Sequence, residues 1–288
     1  MKKYSLLIVS LLTVSLASAQ SLLWKVSGNE LKQPSYLFGT YHILKDSYLD
    51  GTPKVKKAYQ QAQGVVVETT VDSSAMLQMA MQAMMFDNSL RKLISPEDYE
   101  LVAKEFRAST GIDLAMFDQI KPVYTAMMLS MAQIEKESDT LRKFTGLPLD
   151  LFFASDGQKQ GKSITPLETM EEQMGFLLNH DSIDKQAEQL VQIVKDKREM
   201  QHSSKRITDL YLKEDLAGMW KMNEEYSQKY GDTAYLVDKR NENWLKRLPA
   251  LMASKPLFVA VGALHLPGPN GLIELLRKAG YTVEPQLN

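Results

Sequence analysis

Apolar positions along this chain follow two different periods, and the period changes at a few recognisable points. Near the start, "LLWKV" and "SYLFGT" are short apolar runs separated by "SGNELKQP", in which Gly28-Asn29 and Pro34 interrupt the pattern. Short runs bounded by such residues predict a β-hairpin. "TPKVKKAYQQAQ" then has helical composition, and Thr52 before Pro53 is the cap and first-turn pair that starts a helix well. "GVVVETT" follows with three β-branched residues in succession, which suits a strand buried on both faces. The opening of the chain therefore predicts β-β-α-β.

From Ser73 to Tyr230 the spacing is mostly helical, through segments such as "EDYELVAKEFRAS", "VYTAMMLSMAQIEK", "ETMEEQMGFLL" and "DKQAEQLVQIVKDKREM". One short insertion, "KSITPLE", bounded by Gly161 and Pro166, predicts a strand that returns to the sheet. The end of the chain is strand-like again in "PLFVAVGALHL", helical in "NGLIELLRKAG" and strand-like in "YTVEP". These elements predict an α/β (mixed α+β) fold, a central mixed sheet built from both termini with a helical insertion over about 73–230. No long Gly/Ser or Pro-rich linker interrupts it, so one domain over 20–288 is expected.

Composition narrows the possible functions. At 288 residues and 44% hydrophobic the chain can bury a large core. Its 34 basic and 35 acidic residues nearly cancel, and no Lys/Arg stripe stands out, which excludes a charge-driven nucleic-acid partner. The first residues run from Lys2 and Lys3 through an apolar stretch, Leu6 to Leu16, to Ala17-Ser18-Ala19. That order predicts a secretory signal at 1–19, cut before Gln20, and the apolar stretch is short for a spanning helix. An exported protein, periplasmic or secreted and with no stable membrane span after cleavage, is expected. The chain has no cysteine, so no disulfide staples it, and a metal site would have to use His and carboxylates.

Two of the four histidines stand in the same setting. "SYLFGTYHILKD" and "LFVAVGALHLPG" each run from an apolar stretch into G-x-x-H, giving Gly39 with His42 and Gly262 with His265. Each is followed by a helix, a glycine and a strand carrying a carboxylate, Glu68 in "GVVVET" and Glu284 in "GYTVEP", which suggests a weak internal duplication. A lone histidine is more often a core residue bonded to a buried carbonyl. Two histidines at strand ends with Glu68 fit a three-ligand metal site with a position left for water, whose pKa the ion would lower. Glycine three residues before each histidine permits a sharp turn and close approach to the backbone. Glu68 ends a buried strand, where ligands bind in open sheets, and could serve as ligand or general base.

The stretches "YLFGTYHIL", "VVVET", "PLDLFFASDGQKQGKSITPLETMEEQ", "DKRNENWLKRL" and "FVAVGALHLPGPNGLIELLRKAGYTVEP" together resemble the TraB/GumN family, which is related to the Tiki proteases. The resemblance implies a metal-dependent protease, with Mn or Co as the usual ions, and His42, Glu68 and His265 as its central residues. It also implies roles for Arg240 and Asn241 in R-N-x-x-W and, more weakly, for Glu168 and Asp150. Arg240 could clamp a substrate carboxylate or oxyanion with Asn241 donating beside it, or it could pair with Glu168 to hold helix against sheet. Asp150 reads as a helix residue or as support for the site, and stays outside the metal ligands.

The resulting expectation is an exported metal-dependent hydrolase, most simply a peptidase. It would use a divalent ion (Mn, Co or Zn) and act on a peptide or small molecule. The alternatives are a non-catalytic protein that binds a peptide, haem or metal in the same cleft, and a metal-free hydrolase using His and Glu. No G-x-S-x-G occurs, against a serine hydrolase. The methionine run in "AMLQMAMQAMM" reads as core or an adaptable groove, and His180 and His202 read as solvated.

Overall fold

The central strand explains the rest of the sheet. Leu257–Gly262 (β5) is buried at every position, because it pairs in parallel on both sides, with Ser35–Thr40 (β2) and with Gly64–Val67 (β3). A parallel strand covered on both faces needs a continuous apolar run, and "LFVAVG" supplies one. In this computed structural model, which describes residues 21–71, 73–230 and 234–287, six strands form one sheet. Leu23–Ser27 (β1), Ser163–Pro166 (β4) and Thr282–Pro285 (β6) complete it in the order β4-β3-β5-β2-β1-β6. β4 runs parallel to β3, whereas β1 is antiparallel to both β2 and β6. The leader read at 1–19 lies outside the described residues.

The predicted hairpin is β1-β2, turned at Gly28, Asn29 and Glu30, all with positive φ. The predicted returning strand is β4. The suggested duplication breaks at its last strand. β3 lies parallel beside β5, but β6 is antiparallel at the opposite edge, with Glu284 exposed across from Lys25. Only the first half therefore brings a carboxylate to the sheet's centre.

Helices surround this sheet and fill the insertion. Pro53–Gln61 (α1) links β2 to β3, and Ser73–Ala83 (α2), Leu90–Leu93 (α3), Pro96–Thr110 (α4) and Pro122–Glu137 (α5) follow. α4 starts where Ser95 accepts the Asp98 N–H and stops at Gly111, whose φ of 76° suits glycine. Leu149–Lys159 (α6) packs on β3 and β4, and Met170–Leu178 (α7) opens on a capping box between Thr169 and Glu172. Ile183–Lys195 (α8), Lys197–Leu212 (α9), Leu216–Tyr230 (α10), Ala234–Leu245 (α11), Leu248–Ser254 (α12) and Leu272–Lys278 (α13) complete the set.

The main core lies on the sheet, where Phe38, Tyr59, Phe153 and Phe258 pack ring against ring, Phe153 and Phe258 with centroids 4.8 Å apart. A second core, including Val102, Phe106, Leu129, Leu190 and Val194, joins α4, α5 and α8. The methionine run is only partly core. α2 turns Ala75, Met79 and Ala83 inward against Met170 and Met174, at the four-residue spacing of one helix face. Met76, Leu77 and Met81 face outward at 57%, 66% and 51% exposure. Among the described residues no helix is long and apolar enough to cross a membrane.

Candidate active site

Four parallel strands end at the same edge of the sheet, and each end supplies a polar side chain. Glu68 follows β3, His42 follows β2, Glu168 follows β4 and His265 lies just after β5. Carboxyl ends of parallel strands are where open α/β sheets expose unpaired backbone and bind ligands. The two G-x-x-H loops are also packed on one another. A Cβ on Gly39 would stand 2.9 Å from Ala263 Cα, so only glycine lets the first loop lie this close to the second. Tyr211, fully buried, donates its hydroxyl to the Gly39 carbonyl at 2.8 Å and fixes the first loop from behind.

Gly262 is the point of convergence. The position its Cβ would occupy lies 3.2 Å from Glu68 Oε1, 3.5 Å from His42 Nε2 and 3.5 Å from His265 Cδ2. Its N–H donates to Glu68 Oε1 at 2.7 Å. A methyl group there would press on Glu68 and stand in ordinary contact with both histidines.

The two imidazoles are held by different partners. His42 Nδ1 is 2.8 Å from Asp150 Oδ2, and Thr40 Oγ1 donates to the other Asp150 oxygen at 2.5 Å. The His42 side chain is 60% exposed. The Asp150 charge raises its pKa above the ordinary imidazole range, against burial, and its open side to solvent tempers that shift. His265 is buried, and its Nδ1 is 2.7 Å from Asn241 Oδ1. The Asn241 amide donates to the His265 and Asn270 carbonyls, which orients Oδ1 towards Nδ1 and places the proton there. Burial, first, then the nearby Arg240 and His42 charges push the His265 pKa down to about 3 despite Glu68, so this imidazole is neutral at pH 7.

Arg240 sits inside this group. Its Nη2 donates to Glu68 Oε2 at 2.5 Å and to Glu168 Oε1 at 2.5 Å, its Nε to both Glu168 oxygens at 3.0 and 3.1 Å, and its Nη1 lies 3.1 Å from His265 Nε2. Nη1 also reaches the Leu236 carbonyl, one turn back on α11. Trp244 donates to Glu168 Oε2 at 3.1 Å and lies against the His265 ring, with centroids 4.3 Å apart. Burial alone would raise Glu68; His265, Arg240 and His42 together with the Gly262 N–H reverse that and hold it at about 2. Because His265 is neutral, the guanidinium is the decisive cation. Burial pushes Glu168 up, in spite of Arg240.

Of these side chains, His42, Glu68, Asp150 and Gln173 line a cleft of about 820 Å³ together with Val71, Leu147, Leu151 and Ile164, while His265, Arg240 and Glu168 are buried. The residues singled out from the sequence are thus placed together: His42, Glu68, Glu168, Arg240, Asn241 and His265, with Gly39 and Gly262 beneath them. Of the two readings of Arg240, its contacts are those of the pairing with Glu168, extended to Glu68. Asn241 directs its amide to backbone carbonyls and its oxygen to His265. Asp150, read as a helix residue or as support for the site, is the partner of His42, whereas the contacts of Thr40 to Asp150 and of Gln173 to Glu68 Oε2, the latter at 3.1 Å, had no sign in the sequence. An acidic residue in the first turn of α6 looks like ordinary helix-terminus chemistry, and that hid which residue Asp150 supports.

The donor types fit a divalent ion: two imidazoles, each held at Nδ1, and an ionised carboxylate. Among the described residues, however, no three of His, Cys, Asp or Glu stand gathered as a ligand set, and Arg240 is bonded to two of the three candidates.

A mixed α/β protein with a polar cluster at the ends of its parallel strands is the class that fold and site define. The chain belongs to the TraB/PrgY/gumN family, whose model matches residues 22–285. It is 24% identical over 336 residues to a protein named Metalloprotease TIKI2 from Danio rerio, covering 94% of this chain and 62% of that protein. It is 25% identical over 323 residues to Metalloprotease TIKI1 from Danio rerio, covering 92% of this chain and 63% of that protein. The chain thus spans less than two thirds of the length of these relatives. No solved structure matches it.

Proposed function

We propose that this chain is an exported metal-dependent hydrolase, a peptidase, working as a single domain over 20–288. The observation that carries the proposal is the convergence of His42 Nε2, His265 and Glu68 Oε1 on Gly262, with His42 and Glu68 also lining the cleft. The relatedness to two proteins named metalloproteases supports the reaction class. His42, His265 and Glu68 would hold the ion, with Mn, Co or Zn compatible with two imidazoles and a carboxylate. When bound, such an ion activates water and polarises a carbonyl.

The chain's own residues do the rest. Asp150 and Asn241 each take the Nδ1 side of one histidine, which leaves both Nε2 atoms facing the site. Both Glu68 oxygens already accept N–H bonds, from Gly262, Arg240 and Gln173, so its role is to hold rather than to abstract. A cleft of this volume with apolar walls at Val71, Leu147, Leu151 and Ile164 suits a few side chains of an extended peptide.

Metal content of the purified mature chain tests the site. About one divalent ion per chain is expected, and His42→Ala should lose it. Unchanged stoichiometry in His42→Ala and in a His42→Ala/His265→Ala variant would sink the two-histidine site. Cleavage of a mixed peptide library that depends on added Mn or Co tests the activity, and retention of peptides without cleavage would make this a binding protein instead.

A further inference from the structure

Arg240 holds the same atoms that the proposed ion would need. Nη1 takes the His265 Nε2 lone pair and Nη2 takes Glu68 Oε2, while Nε and Nη2 together grip Glu168. The guanidinium therefore has two sides with different partners. One side faces the candidate ligands, and the other rests on a carboxylate of its own, with the Leu236 carbonyl as a further anchor.

The charge count is uneven. Glu168 receives N–H bonds at both oxygens, from Arg240 Nε and Nη2 and from Trp244 Nε1, which leaves no oxygen needing a proton and identifies it as a carboxylate. Glu68 accepts at both oxygens too, from Gly262, Arg240 and Gln173. Two buried carboxylates thus share one guanidinium beside a neutral imidazole, and the cluster is one positive charge short. Buried charge in that state attracts a further cation.

We propose that Arg240 is a displaceable internal cation: it occupies Glu68 and His265 until a divalent ion takes them, and then remains paired with Glu168 alone. This rests on the metal-site reading above. The exchange leaves each buried carboxylate with its own cation, Glu168 with the guanidinium and Glu68 with the ion. It makes Arg240 a competitor that lowers metal affinity, and Glu168 the dock that keeps it folded in the loaded state. A purely supporting arginine would instead leave affinity unchanged or raise it.

Affinity for Zn²⁺, measured by competition with a chromophoric chelator on the full mature chain, separates these. Arg240→Met should bind Zn²⁺ about tenfold more tightly than the wild type, the size of a typical coupling between two sites. A double variant, Arg240→Met/Glu168→Met, removes one positive and one negative charge together. It leaves one buried carboxylate, Glu68, without the guanidinium, against two in the single variant, and so serves if the single variant fails to fold. It should also bind more tightly, which would show that lost hydrogen bonds rather than net charge cause the gain. Equal or weaker binding by both variants, with His42→Ala still weakening it, overturns the exchange and leaves the metal site standing. Absence of Zn²⁺ binding by the wild type and all variants overturns both. As a second readout, Zn²⁺ should change the fluorescence of Trp244, whose ring lies 4.9 Å from the Arg240 guanidinium carbon. No change beyond that of Trp244→Phe would count against the displacement.

Discussion

The two G-x-x-H loops carry the same four-residue pattern at the ends of adjacent parallel strands, yet they build opposite environments. His42 stands open to solvent against a carboxylate, Asp150, and is pushed towards the charged form. His265 is buried against an amide, Asn241, with Trp244 on its face and Arg240 at its Nε2, and is pushed towards the neutral form. Strand register contributes to the difference, because Gly262 pairs with Thr40 and Gly39 with Val261, so the motifs sit one residue out of step. The motif sets where an imidazole is delivered. The partner waiting there, from α6 in one case and α11 in the other, sets its charge.

The largest effect that would break this contrast lies on the buried side. Arg240→Met leaves two buried carboxylates without their cation, and about 3–5 kcal/mol of stability should be lost in urea unfolding of the metal-free protein, whereas Glu168→Met leaves Arg240 paired with Glu68 and should lose less. The Arg240→Met/Glu168→Met double variant should recover part of that loss, since the two are coupled. Additive losses would show that the pair is not a unit.

Acid should act next, and through His265 first. Its folded pKa is depressed to about 3 from an unfolded value near 6.5, so the unfolded chain binds the proton first. Its contribution is complete above about pH 6.5 and is lost as pH falls from there towards 3, at no more than about 1.4 kcal/mol per pH unit. His265→Gln should flatten that slope in the metal-free protein, and an unaltered slope would remove His265 as its source. His42 has the opposite sign. Its folded pKa is raised, so its smaller contribution is present below about pH 6.5 and fades as pH rises.

The glycines should separate stability from function. Gly39→Ala forces a Cβ against the Ala263 backbone and should cost about 1–3 kcal/mol, whereas Gly262→Ala meets the Glu68 side chain at 3.2 Å and should cost less. The Gly262 variant should nevertheless show the larger drop in metal content. The reverse ranking would mean that Gly262 is not where the site converges. Smallest in stability is Asp150→Asn, expected to change it by less than about 1 kcal/mol because the pair is partly exposed. It should still lower the His42 titration midpoint by NMR, and an unmoved midpoint would show that Asp150 does not control His42.

Some of this was open to reading because it is local. Hairpin, buried strands and helical insertion follow from periodicity, since side chains on one face must all be apolar for that face to be buried. Gly39 with His42 and Gly262 with His265 were visible as a repeated pattern, and Glu68 as the polar residue ending an apolar run. Other relations had no such trace. Asp150 is 108 residues from His42 and looks like any acid in a first helical turn. Glu284 has the same sequence setting as Glu68, yet it faces solvent because β6 pairs antiparallel at the far edge. The outward methionines of α2 look like core until the alanine-lined face is seen to be the buried one.

What the sequence determined by itself is the set of elements and the chemical types delivered to the strand ends: two imidazoles, carboxylates and one arginine. The tertiary structure decided the pairing. Burial and hydrogen-bond direction depend on which element lies opposite, and those oppositions join residues about 25 to 190 positions apart, from His265–Arg240 to Glu68–Gly262. That is why His42 and His265, alike on paper, become a charged, open arm and a neutral, buried one, and why Arg240 stands between the residues expected to hold an ion.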